Sequence, residues 1–534
     1  MTAPEADRPR IDLVSPLPPV RSGIADYVRD LLPHLARRCD LRLIRLPAQP
    51  VDEAIAARYE LAPPAELGAE GRLPLYEMGN NRHHLGVLEL AMETPGVLTL
   101  HDLVLHHLLV ESTLAAGDPA GYYQRLAADH GWIGELTARA RRWSELGAAA
   151  LFELPANRTL LRRQRGVLVH SEWAAREVRR EAGVEVHTVP MPMPLARRVP
   201  PAEAEAFKRR HDLPEDRPLL GSFGFQTPIK RTEAVIRALA RPELADAHLA
   251  IVGEVSQSLD FEGLAARVGV SDRVHVTGFL DFDEFEAAIA ACALCLNLRY
   301  PTAGETSASL LRVLAVGRPV VVSEYAQFAE LPSEVAVQVP LGEEEVAALA
   351  ERVGALLAQP EELEEMAEAA RRYVAEHHDP ELSARLTLER ALALAGLEPP
   401  GDAPAEAPPP STVTWLDLAG RLEVTGAEGP WPVGERRGLT VRLTNDGFCR
   451  WLATTRPVTG VSIELQWRPG PHDPPSEQQW VELGNDVAPG ESYQFQVELR
   501  RPIGAGQLIV EPHLAGVGGF GKMGGPTWVR DVEP

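Results

Sequence analysis

Residues 294–323 decide the fold: Leu294-Cys-Leu-Asn-Leu-Arg-Tyr-Pro-Thr-Ala-Gly-Glu-Thr-Ser-Ala-Ser-Leu-Leu-Arg-Val-Leu-Ala-Val-Gly-Arg-Pro-Val-Val-Val-Ser323. The apolar run over 294–298 predicts a buried strand, and apolar residues spaced three and four apart predict a helix from about Thr306 to Val316. A second apolar run over 319–323 predicts another strand. A strand, a helix and a strand in this order form a βαβ unit with parallel strands. Because both runs are nearly all apolar, we expect a sheet covered by helices on both faces.

The same alternation of short apolar strands and amphipathic helices extends over most of the chain on both sides of Pro194. The predicted strands are 10–15, 41–45, 96–100 and 166–170 before Pro194, and 219–223, 248–252, 274–277, 294–298 and 319–323 after it. We therefore predict an α/β fold of two Rossmann-like domains, residues 1–195 and 196–397, with ligands at the carboxyl ends of the strands. The first domain carries a helical insertion over 103–165, and a helical tail from residue 343 ends the second.

Helical periodicity stops at residues 398–411, Glu-Pro-Pro-Gly-Asp-Ala-Pro-Ala-Glu-Ala-Pro-Pro-Pro-Ser. This stretch has too little apolar surface to fold, and we predict an extended linker. Beyond it, residues 412–534 alternate apolar and polar side chains, with turn residues at regular intervals. That pattern predicts a C-terminal all-β sandwich. Its predicted strands are 439–444, 461–467, 493–499 and 507–512.

The composition excludes several classes of protein. With 53 Lys and Arg against 76 Asp and Glu, the net charge of −23 argues against binding of duplex nucleic acid. Four cysteines are too few for a disulfide scaffold and indicate a reducing cytoplasm. Cys292-Ala-Leu-Cys295 lies in an apolar run, so we interpret it as core packing, with a redox or metal pair as the alternative. The sequence contains no recognisable signal peptide and no apolar run of about 18 residues that would span a membrane.

Two strand-to-helix loops in the second domain are candidates for anion binding. Glu305, Thr306 and Ser307 lie at a predicted helix start, where backbone N–H groups favour a phosphate. The alternative is that one hydroxyl only caps the helix. The loop Gly221-Ser-Phe-Gly-Phe-Gln-Thr-Pro-Ile-Lys-Arg231 combines two glycines with two cations, which suits a phosphate, although such a Lys-Arg pair is often solvated surface.

In the first domain, polar residues follow predicted strands. The turn Arg21-Ser-Gly-Ile-Ala-Asp26 lacks the full glycine pattern of a dinucleotide site. The segments Glu77-Met-Gly-Asn-Asn-Arg-His-His84 and His101-Asp-Leu-Val-Leu-His-His107 hold histidines, but His106 and His107 are consecutive and point to different sides of a helix, which disfavours a shared metal. His101 ends a strand, and we predict a hydrogen-bonding or acid–base role for it, with a buried core histidine as the alternative.

Residues 10–395 resemble the GT-B glycosyltransferases, in particular the retaining group often called family 4. The resembling segments are Pro18-Pro-Val-Arg-Ser-Gly-Ile-Ala-Asp-Tyr27, Leu98-Thr-Leu-His-Asp102, Val167-Leu-Val-His-Ser-Glu-Trp173, Val189-Pro-Met-Pro-Met-Pro194, the glycine-to-lysine offset from Gly224 to Lys230, and Gly304-Glu-Thr-Ser through Gly317-Arg-Pro-Val-Val-Val322. The resemblance implies retaining transfer of a sugar from a nucleotide-diphosphate sugar to a glycan, lipid-linked or other acceptor, without a dedicated metal or other cofactor.

The resemblance also implies roles for individual residues. It assigns His101, Lys230 and Glu305 to catalysis, with His101 at the donor sugar and Glu305 at sugar hydroxyls rather than as a nucleophile. The further residues assigned to the donor are Gly23, Gly224, Arg231, Gly304, Thr306 and Ser307, and those assigned to the acceptor side are Asn80, His84 and Asp102. The insertion would face the acceptor. The basic stretch 157–165 suggests, as an alternative to a solvated face, contact with anionic lipid at the inner membrane surface.

Two positions depart from the family pattern. Phe225 replaces the usual arginine after the glycine, and counting back from Gly317 places the family's Glu-x7-Glu pair on Gly304 and Arg312. A divergent branch of the family carries Gly-Glu-Thr-Ser here, as this chain does. The departures leave two alternatives to a transferase open: a non-catalytic scaffold that binds glycan or a partner enzyme, and another GT-B activity such as an epimerase or phosphorylase.

The β-sandwich resembles immunoglobulin-like modules, and a glycan or protein partner is predicted for it. Six of the chain's nine tryptophans lie there, either as core residues or as stacking surfaces for sugars.

Overall fold

A computed structural model of the chain describes residues 8–20, 22–47, 49–142, 150–396, 418–447, 449–453, 460–471, 473–514, 518–523 and 525–532. The predicted linker over 398–411 lies outside the described residues. The chain divides into two compact units. The first unit comprises Met1–Leu108 with Leu160–Ala403, and the second comprises Leu109–Thr159 with Pro404–Pro534.

The first α/β body, in the first unit, is built on a parallel sheet of seven strands. Its strands are β1 (Arg10–Val14), β2 (Asp40–Ile44), β3 (Glu60–Ala62), β4 (Leu73–Met78), β5 (Val97–Leu100), β6 (Gly166–Val169) and β7 (Val186–Thr188). Their order across the sheet is β3-β2-β1-β4-β5-β6-β7. Its helices are α1 (Gly23–Leu35), α2 (Glu53–Arg58), α3 (Leu85–Glu93) and, after the insertion described below, α8 (Glu172–Ala182).

The second α/β body, also in the first unit, has a parallel sheet of six strands. They are β8 (Leu219–Phe223), β9 (His248–Val252), β10 (Val274–Gly278), β11 (Leu294–Asn297), β12 (Val320–Ser323) and β13 (Ala336–Val339), in the order β10-β9-β8-β11-β12-β13. The helices are α9 (Pro201–Arg210), α10 (Thr232–Leu239), α11 (Phe261–Val268), α12 (Phe282–Ala291), α13 (Ala308–Val316), α14 (Glu345–Leu357), α15 (Pro360–His377) and α16 (Pro380–Ala395).

The predicted α/β fold class is confirmed, and the predicted strands of both bodies are found within one or two residues of their ends. Strand β4 is missing from the prediction because Pro74 and Glu77 interrupt its apolar pattern. Both residues are buried, and Glu77 has no exposed surface at all. A charged residue inside a buried strand is rare unless it has a partner, which makes Glu77 a residue to explain.

Helix α16 returns from the second body to the first. His34 Nδ1 lies 2.8 Å from Glu381 Oε2, and Arg165 donates from Nη1 to the Ala395 carbonyl at 2.9 Å. The fully buried side chain of Leu394 fills the space beside Gly166. The predicted domain range 196–397 stays a prediction, and the structure adds that its last helix packs on the first body.

Two antiparallel sheets form the β region of the second unit. The strands are β14 (Gly420–Thr425), β15 (Arg436–Asn445), β16 (Val461–Arg468), β17 (Glu477–Glu482), β18 (Ser492–Arg500), β19 (Gln507–Leu514), β20 (Gly518–Gly519) and β21 (Trp528–Asp531). One sheet has the order β14-β15-β18 and the other β17-β16-β19-β20, with β21 also paired to β19. Trp431, Trp451 and Trp467 are buried in the shared core, as the core interpretation predicts, whereas Trp480 is half exposed. The predicted all-β C-terminal region is thereby confirmed.

Residues 109–159, the middle of the helical insertion, belong to the same unit as the β region. The helices of the insertion are α4 (His106–Ser112), α5 (Pro119–Arg142), α6 (Ala150–Glu153) and α7 (Arg158–Arg163). Helix α5 is kinked at Gly131, whose φ of 56° leaves the helical region. Apolar residues of the insertion form one buried cluster with Leu452 of the β region, and this cluster explains why the two segments make one unit.

The packing of α16 on the first body predicts a coupled pair of substitutions. A Cβ added at Gly166 would lie 2.4 Å from Leu394 Cδ2, so Gly166→Ala should cost about 1–3 kcal/mol of unfolding free energy by overpacking. Leu394→Ala should cost about 2–5 kcal/mol by leaving a cavity. We expect the double variant, measured by urea unfolding, to lose less than the sum by at least about 0.5 kcal/mol. Strict additivity would contradict the contact.

Candidate functional site

Two sheet edges meet within the first unit, at the carboxyl ends of their strands. The loop after β5 and the loop after β11 are joined by a main-chain hydrogen bond, in which Val104 N donates to the Ala303 carbonyl at 2.8 Å. Gly304 has a φ of +81°, and an added Cβ there would lie 2.5 Å from Leu103 Cβ. The close approach of the two loops therefore requires glycine at position 304.

Glu305 holds the loop after β11 together. Its Oε2 accepts hydrogen bonds from Thr302 Oγ1 at 2.8 Å and from Ala303 N at 3.0 Å. Its Oε1 lies 3.3 Å from Arg299 Nε. Gln327 Nε2 donates a hydrogen bond to the Glu305 carbonyl at 2.7 Å. The carboxylate predicted to bind sugar hydroxyls is thus also the residue that shapes the loop.

Helix α13 begins at Ala308, two residues later than predicted, because Ser307 is its N-cap. Ser307 Oγ accepts from Leu310 N at 3.3 Å and from Asn297 Nδ2 at 3.1 Å. Ser307 therefore caps the helix, and its role at a donor phosphate stays a prediction. Thr306 lies in the loop before the cap and is partly buried, and its role at a donor phosphate stays a prediction.

Lys230 lies buried beside the carboxyl end of β8, the strand next to β11. Only 9% of it is exposed, and Nζ donates to the Phe223 carbonyl. Gly224 has a φ of +86°, and an added Cβ there would lie 2.9 Å from Nζ, so glycine leaves the room that the ammonium occupies. Burial, and then the charge of Arg299, lower the pKa of Lys230 well below its ordinary value, against the effect of Glu305.

Arg299 is the second buried cation of this edge, with 7% exposure. Its Nη1 donates to the Leu298 carbonyl at 3.0 Å, and burial lowers the pKa of its guanidinium in spite of Glu305. Glu305 thus pairs with Arg299 at 3.3 Å and acts on Lys230 through its charge. This arrangement favours an additional anion.

The charge of Arg231 is paired with a different carboxylate, that of Glu345. Its Nε lies 3.0 Å from Glu345 Oε1, and its Nη2 contacts the other oxygen of this carboxylate, which is 1% exposed. The buried carboxylate needs a counter-charge, and Arg231 supplies it. The role of Arg231 at the donor diphosphate stays a prediction. A donor bound there would compete with Glu345 for the guanidinium.

His101 has both ring nitrogens engaged by the protein. Nε2 lies 2.7 Å from Glu77 Oε2, and Nδ1 lies 3.2 Å from His170 Nε2. A contact of either nitrogen with a donor sugar would require one of these bonds to break. His84, predicted on the acceptor side, is fully buried, and burial lowers its pKa to about 3.

Asn80 and Asp102 connect the loops after β4 and β5. Asp102 Oδ2 accepts from Asn80 N at 2.7 Å, and Asn80 Oδ1 accepts from Leu108 N at 2.9 Å. Burial, and then the negative charge of Glu305, raise the pKa of Asp102 from 3.8 to about 7. Asp102 and Glu305, predicted for opposite substrates, therefore influence each other directly.

The structure brings most predicted site residues to these two edges and adds others that the sequence analysis missed. The added residues are Tyr27, Thr99, His170, Asn297, Arg299, Thr302 and Gln327. Arg299 could have been found, since it directly follows an apolar strand. Gly23 is the first residue of α1, and a Cβ added there would meet no atom within 4 Å, which leaves open space in front of it.

Cys292 and Cys295 are both buried and free, as the packing interpretation predicts. Across the described ranges, no three His, Cys, Asp or Glu side chains are grouped so as to hold a metal ion. Among the helices of the described residues, none combines the length and apolar character needed to cross a membrane.

Residues 203–373 match the family model described as Glycosyl transferases group 1. This part of the second α/β body is similar to group 1 glycosyl transferases. The matched range contains the loop from Gly224 to Lys230, the loop from Arg299 to Ser307, and α13, so the buried cations lie inside the family region.

Comparison with known proteins supports the fold described above. A 2-deoxystreptamine glucosyltransferase of Streptomyces kanamyceticus is 28% identical over 250 residues, which is 45% of this chain and 64% of the relative's length. HepE of Anabaena in complex with UDP superposes with a TM-score of 0.52 at 14% identity, covering 72% of this chain and 99% of that one. Sucrose-phosphate synthase of Thermosynechococcus elongatus gives a TM-score of 0.50 at 20% identity, covering 73% of this chain and 100% of that one. At these identities, the two solved structures show that the two α/β bodies have the GT-B fold.

The raised pKa of Asp102 predicts a measurable dependence of stability on pH. The folded protein holds this proton up to about pH 7 and the unfolded chain only up to about pH 3.8. The stabilisation is therefore complete below the lower value and is lost as the pH rises through 7. Asp102→Asn removes the titration and keeps an acceptor for Asn80 N–H, so its Tm should fall less than that of the wild type between pH 5 and pH 8.

The exposed Asp216→Asn is the matched control and should keep the wild-type pH slope. The same loss of Tm in wild type and Asp102→Asn would contradict the assignment.

Proposed function

We propose that this chain is a glycosyltransferase that moves a sugar, with retention of anomeric configuration, from a nucleoside-diphosphate sugar to a hydroxyl of a glycan, lipid-linked or other acceptor. The family match over the second body supports the reaction class. The proposed donor site is the edge formed by the loops after β8 and β11. The proposed acceptor site lies toward the loops after β4 and β5.

The observation that carries this proposal is the pair of buried basic residues at the edge that also holds Glu305. Lys230 and Arg299 are each at least nine-tenths buried, and burial lowers the pKa of both. A diphosphate placed against them would supply the missing negative charge and raise both pKa values again. As the bond to the sugar breaks, the added charge on the leaving diphosphate meets cations that are already in place, which is the most effective form of electrostatic catalysis.

Glu305 is proposed to bind sugar hydroxyls while it holds the loop. Both of its oxygens already accept donors from the protein, and its side chain is 24% exposed. A carboxylate in this state is a poor nucleophile, because its charge is shared among several donors. We therefore assign it to sugar orientation and derive no covalent intermediate on it.

The relatives supply the first compounds to test. HepE is described in complex with UDP, and the Streptomyces relative is named as a glucosyltransferase of 2-deoxystreptamine. We propose a UDP-linked hexose as the first donor and a small aminocyclitol among the first acceptors. The chain spans 64% of that relative's length, so the acceptor of this protein has to be identified by assay.

A thermal-shift screen against nucleoside diphosphates tests the donor site. A ligand at a hundredfold excess over its Kd stabilises the native protein by about 2.7 kcal/mol, so one nucleoside diphosphate should raise the Tm by several degrees. The shift should survive excess EDTA, because protein cations are the proposed ligands of the diphosphate. The absence of any shift at millimolar concentration would favour the non-catalytic scaffold.

Lys230→Ala tests the role of the buried lysine. We expect donor turnover, measured as kcat/KM for sugar transfer or for slow donor hydrolysis, to fall about 10²- to 10³-fold, as on removal of one preorganised donor. Lys208→Ala on α9 is the matched control and should keep wild-type turnover. Equal activity of the two variants would overturn the assignment of the diphosphate to Lys230.

A further inference from the structure

A chain of hydrogen bonds runs across the carboxyl ends of β4, β5 and β6 and ends on a main-chain carbonyl. Thr99 Oγ1 donates to Glu77 Oε1 at 3.3 Å, and Glu77 Oε2 lies 2.7 Å from His101 Nε2. His101 Nδ1 lies 3.2 Å from His170 Nε2, and His170 Nδ1 lies 3.0 Å from the Val189 carbonyl. Glu77 and Thr99 are completely buried, and His101 is 8% exposed.

The carbonyl at the end of the chain sets the direction of every bond. The Val189 carbonyl can only accept, so His170 carries its proton on Nδ1 and, when neutral, accepts at Nε2. His101 must then donate from Nδ1. A neutral His101 accepts at Nε2, and the proton of the 2.7 Å contact therefore belongs to Glu77 Oε2.

The surroundings favour this neutral arrangement over an ion pair. Burial raises the pKa of Glu77 well above its ordinary value and lowers the pKa of His101 and of His170 to about 3. The groups that face the pair from other elements are Tyr27 of α1, whose ring meets His101 at 4.5 Å between centroids, and His84 before α3. Both are uncharged at neutral pH, since burial raises the pKa of Tyr27 and lowers that of His84.

Moving the proton from Glu77 to His101 would create two buried charges whose desolvation is costly. Thr99 is consistent with the neutral form, because its hydroxyl donates to the oxygen of Glu77 that bears no proton.

We propose that Glu77 is a positioning residue that acts as a neutral acid: it donates to His101 Nε2 and holds His101 as the Nδ1–H tautomer, with its ring plane set at the edge of the first sheet. The role of this ring in transfer rests on the proposed function, whereas the tautomer does not. A held ring presents an uncharged wall at this edge, beside the site to which the donor diphosphate is assigned.

The tautomer is measured directly on the intact chain labelled with ¹⁵N-histidine, by long-range ¹H–¹⁵N correlation between pH 6 and pH 8, with His101 assigned from a His101→Gln variant. We expect a neutral His101 protonated on Nδ1. Glu77→Gln should leave this pattern unchanged, because its amide N–H also donates to Nε2, whereas Glu77→Leu should remove the bond at Nε2. A cationic His101 or an Nε2–H tautomer in the wild-type protein would overturn the proposal.

Thr99→Val is the matched control, since it removes a bond to Glu77 without touching His101, and the His101 pattern should persist in it. Thermal melting checks that each variant folds, and the wild-type spectrum decides the question even if Glu77→Leu does not fold. In the transfer assay, Glu77→Gln should stay within about threefold of wild-type kcat/KM and Glu77→Leu should lose about 10- to 100-fold, as expected for a displaced site residue.

Full activity of a folded Glu77→Leu protein would overturn the positioning role. Absence of turnover in the wild type would instead refute the proposed function and leave the tautomer result standing.

Discussion

Two buried basic residues, Lys230 and Arg299, lie at the carboxyl edge of the second sheet with the carboxylate of Glu305, which pairs with Arg299 and acts on Lys230 through its charge, and the local backbone is arranged around them. Burying a charge is costly unless it is paired and hydrogen-bonded. Strands β8 and β11 are direct neighbours in the sheet, so the segments that follow them bring the two cations to the same edge. Gly224 leaves the space for the ammonium, and Glu305 folds its loop back toward the guanidinium. The proposed anionic ligand would supply the negative charge that this edge lacks.

At the carboxyl edge of the first sheet, the buried titratable groups are neutral. Glu77 and His101 are buried titratable groups and His170 is partly buried, and their hydrogen bonds connect them as neutral groups in one direction. Asp102 lies between the two edges, where burial and Glu305 favour its protonated form. One side of the junction thus carries two buried basic groups, and the other carries groups held neutral. This contrast matches a donor whose diphosphate lies on the second body and whose uncharged sugar extends toward the first.

The sequence was sufficient to predict the two α/β bodies, since apolar strands such as 219–223 and 248–252 are complete in themselves and their helices are amphipathic. It was also sufficient to place Lys230, Gly304 and Glu305 in loops that follow strands. It did not reveal β4, because Pro74 and Glu77 disturb the local pattern and only the neighbouring strands explain their burial. The partners of Arg231 and His101 were equally hidden, because Glu345 and His170 are far from them in the chain. At the two positions where the family has glutamates, this chain has Gly304 and Arg312. The glutamate one place later, Glu305, binds Arg299 and its own loop.

The most direct measurement of the central claim uses the scarcity of lysine in this chain. The sequence contains three lysines, Lys208, Lys230 and Lys522, so selective ¹³C,¹⁵N-lysine labelling gives three side-chain signals whose titration can be followed individually by NMR. We predict that Lys230 titrates well below the ordinary range of a lysine in the free protein, and that its pKa rises when UDP or another nucleoside diphosphate that stabilises the protein is added. A Lys230 signal that titrates in the ordinary range of a lysine, or whose pKa does not change when a stabilising nucleotide is bound, would contradict the account.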